Sequence, residues 1–242
     1  MTKKILITGA NGQLGHEMRN ALKGNNRFEC IFTDVAELDI CNAEAVKQTI
    51  ADNHIDYIVN CAAYTQVDKA EDNAELCKKI NTDAVENLAR AAADYGARMI
   101  HISTDYVFNG RGYRPYTEDV VPDPQSVYGS TKLEGEKILT DICPESIIIR
   151  TAWLYSPYGN NFVKTMLHLG EEREELSVVA DQIGTPTCAA DLAQAILVIL
   201  QADTFVPGTY HFSDEGACSW YDFTVTFTFT IRRTSISRIS KR

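Results

Sequence analysis

No two of the seven cysteines in this 242-residue chain, Cys30, Cys41, Cys61, Cys77, Cys143, Cys188 and Cys218, are spaced C-x-x-C. Their scatter and odd number exclude a disulfide framework and a zinc pattern, and fit free thiols packed as small apolar side chains in a reducing compartment. Positive charge is scarce too: 23 Lys and Arg stand against 33 Asp and Glu, a net −10. Such a balance argues against a nucleic-acid-binding surface and leaves any small phosphorylated ligand to local backbone dipoles. No apolar run approaches the ~20 residues of a membrane span. The stretch from Met1 to Gly9 holds too few apolar residues for a secretory signal core. No internal repeat or low-complexity linker appears, so the expectation is a cytoplasmic globular protein without a membrane or nucleic-acid partner.

What is present is an alternation. Short apolar runs at Lys4-Ile5-Leu6-Ile7, Cys30-Ile31-Phe32, Tyr57-Ile58-Val59, Met99-Ile100-His101-Ile102 and Ile147-Ile148-Ile149 read as strands buried on both faces. Stretches with helical spacing, such as Asn42 to Ala51 and Ala74 to Tyr95, lie between them. Strand, helix, strand in this order predicts an α/β protein with a Rossmann-type doubly wound parallel sheet over residues 1–150, parts of 176–202 completing the sheet. A smaller lobe is expected over 151–223. From Thr224 an alternating Thr-Val-Thr-Phe-Thr-Phe stretch abandons the helical pattern begun at Trp220, and a Ser/Arg tail to Arg242 offers no apolar face.

The first strand runs into Thr8-Gly9-Ala10-Asn11-Gly12-Gln13-Leu14-Gly15, which opens a helix. Glycine permits a tight turn and lets backbone N–H groups approach a pyrophosphate at the positive end of that helix, while Gly15 allows close packing. Asp34 closes the second strand nineteen positions after Gly15, where a carboxylate can accept from a ribose diol. It would repel a 2′-phosphate, a lean toward NADH over NADPH. Asp39 and Ile40 are placed near the adenine, with a helix cap as the alternative use of Asp39. The third strand ends in small residues before Ala62, Ala63 and Tyr64, leaving room for a dinucleotide.

Tyr128 and Lys132 are four apart and share a helix face. A phenol with an ordinary pKa near ~10 benefits from a nearby ammonium if it is to exchange a proton at neutral pH. Thr104, at the end of the fourth strand, offers a hydroxyl to a substrate carbonyl. Taken in order, these elements resemble the extended short-chain dehydrogenase/reductases. The resemblance implies Thr104, Tyr128 and Lys132 as catalytic residues, with Lys132 tuning Tyr128 and holding the nicotinamide ribose of NADPH or NADH.

Longer stretches narrow the resemblance: Val67-Asp68-Lys69-Ala70-Glu71, Ser103 to Phe108, Tyr128 to Glu136, Arg150-Thr151-Ala152-Trp153, Gly159 to Met166 and Asp181 to Thr187. They are similar to the dTDP-4-dehydrorhamnose reductases over about residues 3 to 223. That branch implies a sugar-nucleotide substrate, cell-surface polysaccharide biosynthesis, and a sugar pocket lined by Tyr64, Thr65, Val67, Tyr106 and Trp153. Related dehydratases carry Asp-Glu after the catalytic Thr. Here Asp105 is followed by Tyr106, which disfavours elimination. An epimerase or dehydratase of this fold and a non-catalytic NADP-binding regulatory subunit are the competing readings. Some relatives dimerise through a magnesium-linked interface, so a homodimer and Mg2+ belong to what the resemblance implies, with no ligands mapped here. The stretch from Thr224 to Arg242 resembles nothing in the family, and a frameshifted or truncated reading frame with weakened sugar-nucleotide binding is expected.

Overall fold

The computed structural model describes residues 2–231 and 238–241. The first half alternates strands and helices: β1 (Lys3–Thr8), α1 (Gln13–Ala21), β2 (Phe28–Thr33), α2 (Ala43–Asn53), β3 (Tyr57–Asn60), α3 (Val67–Asp72), α4 (Ala74–Lys78), a π-helical turn at Lys79–Asp83, α5 (Ala84–Tyr95), β4 (Arg98–Thr104), α6 (Val127–Ile142) and β5 (Ile147–Thr151). The second half holds β6 (Leu154–Tyr155), α7 (Phe162–Glu172), β7 (Glu175–Val178), β8 (Ile183–Gly184), β9 (Thr187–Cys188), α8 (Ala189–Gln201), β10 (Gly208–His211), β11 (Cys218–Ser219), α9 (Trp220–Ile231) and β12 (Arg238–Lys241).

The main sheet has the order β10-β5-β4-β3-β1-β2, and every pairing in it is parallel. Its apolar runs sort by parity because successive side chains on a strand point to opposite faces. Leu6, Ile58, Met99 and Ile148 pack with Val46, Ile50, Val85, Leu88 and Leu139 of α2, α5 and α6. Ile5, Ile7, Val59, Ile100, Ile147 and Ile149 pack with Leu14 and Met18 of α1 and Leu192 and Ile196 of α8. Each fully buried Leu or Ile contributes about 1.5–3 kcal/mol, so the two cores together fix the doubly wound layout. After β2 the chain crosses to the far side of β1, which makes the carboxyl edge of β1 and β3 the switch point where a crevice opens.

Three expectations need correction. The sixth strand is β10, not part of 176–202: β7 pairs with β12 in a separate small sheet, and α8 covers the main sheet. The edge strand Gly208-Thr209-Tyr210-His211 is short and half polar, so no apolar run marks it. The long helix read over Ala74 to Tyr95 is divided by the π-helical turn. The tail also enters the fold. Thr224 and Thr226 satisfy their hydroxyls on the carbonyls of Trp220 and Asp222, four residues back, which lets the Thr/Phe alternation continue as helix α9. Phe223 meets Tyr155 and Phe162, so aromatic packing overrides the strand-like pattern. The Ser and Lys of β12 pair with β7, Ser240 facing Ser177 at 3.0 Å. Residues 232–237 and 242 of that tail lie outside the described residues.

Candidate active site

Gly9 carries the turn after β1. Its φ is +64°, and an added Cβ would stand 2.6 Å from the Ala62 backbone nitrogen. Only glycine lets β1 and β3 run this close at their carboxyl ends. A cleft of about 560 Å³ opens there, lined by Gly9, Asn11, Gly12, Asp34, Asp39 and Ile40 together with Ala62, Ala63, Leu76, Lys79 and Ile80. Gly12 caps α1 without a side chain. The first-turn N–H groups of Gln13, Leu14 and Gly15 therefore remain for an anion at the helix's positive end. These groups fit the pyrophosphate of a dinucleotide.

The loop residues divide their work. Asp34 accepts from the Asn11 N–H at 2.9 Å and from the Val35 N–H at 2.8 Å, which folds the turn against the end of β2 and leaves carboxylate lone pairs toward the cleft. Leu14 points into the core, so only its backbone faces outward. Gln13 reaches away from the cleft, accepting from Asn161 at 2.9 Å and donating to the Leu154 carbonyl at 3.4 Å, and so ties the turn to the lobe. Asp39 accepts from the Cys41 N–H, while Asn42 caps α2.

The trio expected to be catalytic, Thr104, Tyr128 and Lys132, lies beyond the cleft, at the end of β4 and on α6. Tyr128, Lys132 and Glu136 fall four apart on one stripe of α6 and are all buried. Glu136 anchors that stripe: Arg150 of β5 donates to it at 2.7 and 3.0 Å, and Ser103 of β4 donates to it as well. The Lys132 ammonium group sits against the sheet, Nζ donating to the Ile102 carbonyl at 2.7 Å and lying 3.3 Å from His101 Nε2. Burial lowers its pKa to about 8, although Glu136 pulls the other way. Burial also raises the Tyr128 phenol above its ordinary value, opposed by hydrogen bonding with Thr104. Lys132 was expected to tune Tyr128 downward. In this arrangement the lysine is committed to the sheet and the phenol stays firmly protonated.

Thr104 donates to Asp105 at 3.1 Å and accepts from the Tyr106 N–H at 3.2 Å. Burial pushes the Asp105 carboxyl up to about 6. Tyr106 lies edge-on to Tyr128 with ring centroids 5.4 Å apart, and Tyr64 and Val67 pack around the same phenol. Thr65 is exposed on the loop between β3 and α3. Trp153 departs from its expected role. Its φ is +49°, its indole stacks on Trp220 at 3.4 Å, and Gly184 approaches so closely that a Cβ would meet Cε2 at 2.4 Å. Neighbouring protein has taken the face expected to stack on a sugar.

Four residues passed over in the sequence also belong here. Lys79 lines the cleft. Asn81 accepts from the Tyr64 N–H at 2.9 Å and donates to Thr131, and Cys77 lies 3.2 Å from Thr131, so the π-helical turn joins cleft to trio. His101 was legible in principle: a polar residue inside a strand buried on both faces requires a partner. Among the described residues no cluster of three His, Cys, Asp or Glu is placed to hold a metal, so the Mg2+ expectation finds no ligand set there. No described helix is long and apolar enough to cross a membrane.

The sequence matches the RmlD substrate binding domain over residues 3–240, a span that runs through the tail set apart above. A dTDP-4-dehydrorhamnose reductase of Aggregatibacter actinomycetemcomitans is 44% identical over 226 residues, covering 92% of this chain and 77% of the relative. A solved dTDP-4-dehydrorhamnose reductase of Clostridium acetobutylicum superposes with a TM-score of 0.94 at 48% identity, covering 99% of this chain and 83% of its own. That of Bacillus anthracis, solved in complex with NADP, gives a TM-score of 0.94 at 41% identity, with 100% and 84% covered.

Proposed function

The chain belongs to the RmlD substrate binding domain family, and from that premise we propose that it is an NAD(P)H-dependent reductase converting the 4-keto group of dTDP-4-dehydro-L-rhamnose to the alcohol of dTDP-L-rhamnose. The observation that carries this reading is the gathering of Thr104, Tyr128 and Lys132 beside a dinucleotide-sized cleft, with Tyr106 against the phenol where an eliminating enzyme would need a second acid.

The nicotinamide supplies the hydride when bound. The chain's residues supply the proton and its placement. Tyr128, held protonated by burial, carries the proton that the carbonyl oxygen takes up as it becomes an alcohol. The Thr104 hydroxyl, oriented by the Tyr106 N–H, would turn its one proton from Asp105 to that oxygen. Lys132, buried one helical turn from Tyr128 on the same stripe of α6, would hold the nicotinamide ribose and, as the ammonium, favour the phenolate left behind. Asp34 and Asp39, lining the cleft, favour NADH, and Lys79 in the same lining is the cation available to a 2′-phosphate of NADPH.

Oxidation of NADH and of NADPH by the purified chain, with dTDP-4-dehydro-L-rhamnose as acceptor, tests this. Tyr128→Phe is expected to lower kcat by about 10²–10⁴ while nucleotide binding persists. An equal rate in that variant, or substrate turnover without net nucleotide consumption, would overturn the reading; the latter would indicate an epimerase or dehydratase. A homodimer is part of this proposal and is checked by sedimentation of the same preparation.

A further inference from the structure

A chain of buried polar groups runs through the sheet from the cleft to the catalytic lysine. Thr8, at the end of β1, Asn60 at the end of β3, His101 in the middle of β4 and Lys132 on α6 are each no more than 1% exposed. Their hydrogen bonds fix where the protons lie. Asn60 Oδ1 accepts from the Thr8 hydroxyl at 2.7 Å and from the Ala62 N–H at 3.2 Å. A backbone N–H can only donate, so the amide cannot be turned over without setting two donors face to face. Asn60 Nδ2 therefore points at His101 Nδ1, 3.0 Å away, and that ring nitrogen must be the acceptor. A neutral imidazole with a bare Nδ1 carries its proton on Nε2. Nε2 lies 3.3 Å from Lys132 Nζ. An ammonium there would oppose one N–H to another, whereas a neutral amine offers a lone pair to the imidazole and still donates to the Ile102 carbonyl.

We propose that His101, locked by Asn60 as the Nε2–H tautomer, is a positioning residue for Lys132 that holds it against the sheet and disfavours its ammonium form in the cofactor-free protein. The surrounding charges do not override this. Glu136 on α6 and Cys77 on α4 favour the ammonium, but Glu136 is already engaged by Arg150 and Ser103, and the Tyr128 phenol is neutral. Burial lowers Lys132 to about 8 and holds His101 well below its usual range, and a charge on Lys132 further opposes protonation of the ring. Asn60 also grips Ala62 in the cleft wall, so the group that sets the tautomer is in contact with the floor of the dinucleotide cleft. The kinetic meaning of this device rests on the proposed reductase reading; its protonation states do not.

Long-range 15N–1H correlation on the cofactor-free full-length chain reads the tautomer directly. The expected spectrum has His101 Nε2 protonated and Nδ1 bare from pH 8 down to about 6. In parallel, 13C-lysine labelling follows the Lys132 ε-carbon through its titration, in the native chain and in Asn60→Ala. That variant adds no charge and frees the ring to present a bare Nε2, so the lysine midpoint is expected to rise by about one pH unit, a tenfold change in the protonation equilibrium. A protonated Nδ1 or an imidazolium in the native chain, which requires no variant to detect, overturns the proposal. So does a native Nε2–H tautomer with a lysine midpoint that stays or falls in Asn60→Ala. The nucleotide-oxidation assay on native protein separately decides the reductase reading.

Discussion

The six-stranded sheet and the segment that follows β5 are held together differently. In the sheet, strand parity sends alternate side chains into two continuous aliphatic cores, each closed by helices that carry their own apolar stripes. Beyond Thr151 the strands shrink, several to two residues, and an aromatic pile replaces the aliphatic layers: Trp153 on Trp220, Trp220 on Phe162, Phe223 on Phe162 and Phe227. The first arrangement is periodic and redundant. The second depends on a few residues brought from distant positions, with Gln13 as its bond back to the dinucleotide turn. With the proposed function, that division predicts rigidity at the cofactor edge and adaptability at the substrate edge.

Removing one side chain from each region sharpens the contrast. Leu6 is wholly buried at the centre of one core, so Leu6→Ala is expected to cost about 2–5 kcal/mol of global stability, read as a shifted denaturation midpoint in urea. A loss under about 1 kcal/mol would mean the core can collapse around the gap and that the sheet is less tightly packed than its burial indicates. Trp220→Ala should act elsewhere. Trp220 stacks on Trp153 and donates to Gln182 at 3.2 Å, yet it remains partly exposed. Its removal is expected to raise KM for the sugar nucleotide about tenfold, or about 1.4 kcal/mol, with KM for the nicotinamide nucleotide unchanged. If both KM values rise together, the pile supports the cofactor cleft and the two regions are not separable.

The same division governs how much could be read from the sequence. Wherever one residue type repeats with the period of its element, as in Leu6 against Ile5 and Ile7, or Tyr128 and Lys132 four apart, the fold and the trio were legible. The glycine turn was equally plain, since a backbone on which a Cβ would stand 2.6 Å from its neighbour admits only one residue there. Contacts made across the chain were not. Nothing local says that Trp153 will be covered by Trp220, that Gly208–His211 will complete the sheet, or that a Thr/Phe alternation will stay helical with the Thr224 and Thr226 hydroxyls on the carbonyls four residues back. His101 and Asn60 lie between these extremes. Each is a polar residue in or at the end of an apolar strand, which signals a buried partner without naming it.

The smallest effect is predicted where the two regions meet, at Asp105. Burial is the main cause that lifts its carboxyl to about 6 from an ordinary 3.8, against the opposing pull of Thr104 and backbone N–H groups. A carboxyl whose pKa is raised on folding binds its proton more tightly in the folded chain than in the unfolded one. Its contribution to stability is therefore lost as pH rises through roughly 4 to 6, and the full cost is carried above that window. Asp105→Asn keeps the shape and removes the ionisation. Relative to the native chain it should gain about 1 kcal/mol on going from pH 4.5 to pH 7.5, a figure held below the full linkage value because the side chain retains some exposure. Urea midpoints of both proteins at the two pH values measure this, and the difference between proteins cancels the other carboxylates. A difference that does not change with pH would mean that Asp105 ionises as freely as in the unfolded chain. The seam between sheet and lobe would then be wet, and the contrast between a dry cofactor edge and an adaptable substrate edge would have to be drawn further out, beyond Thr104.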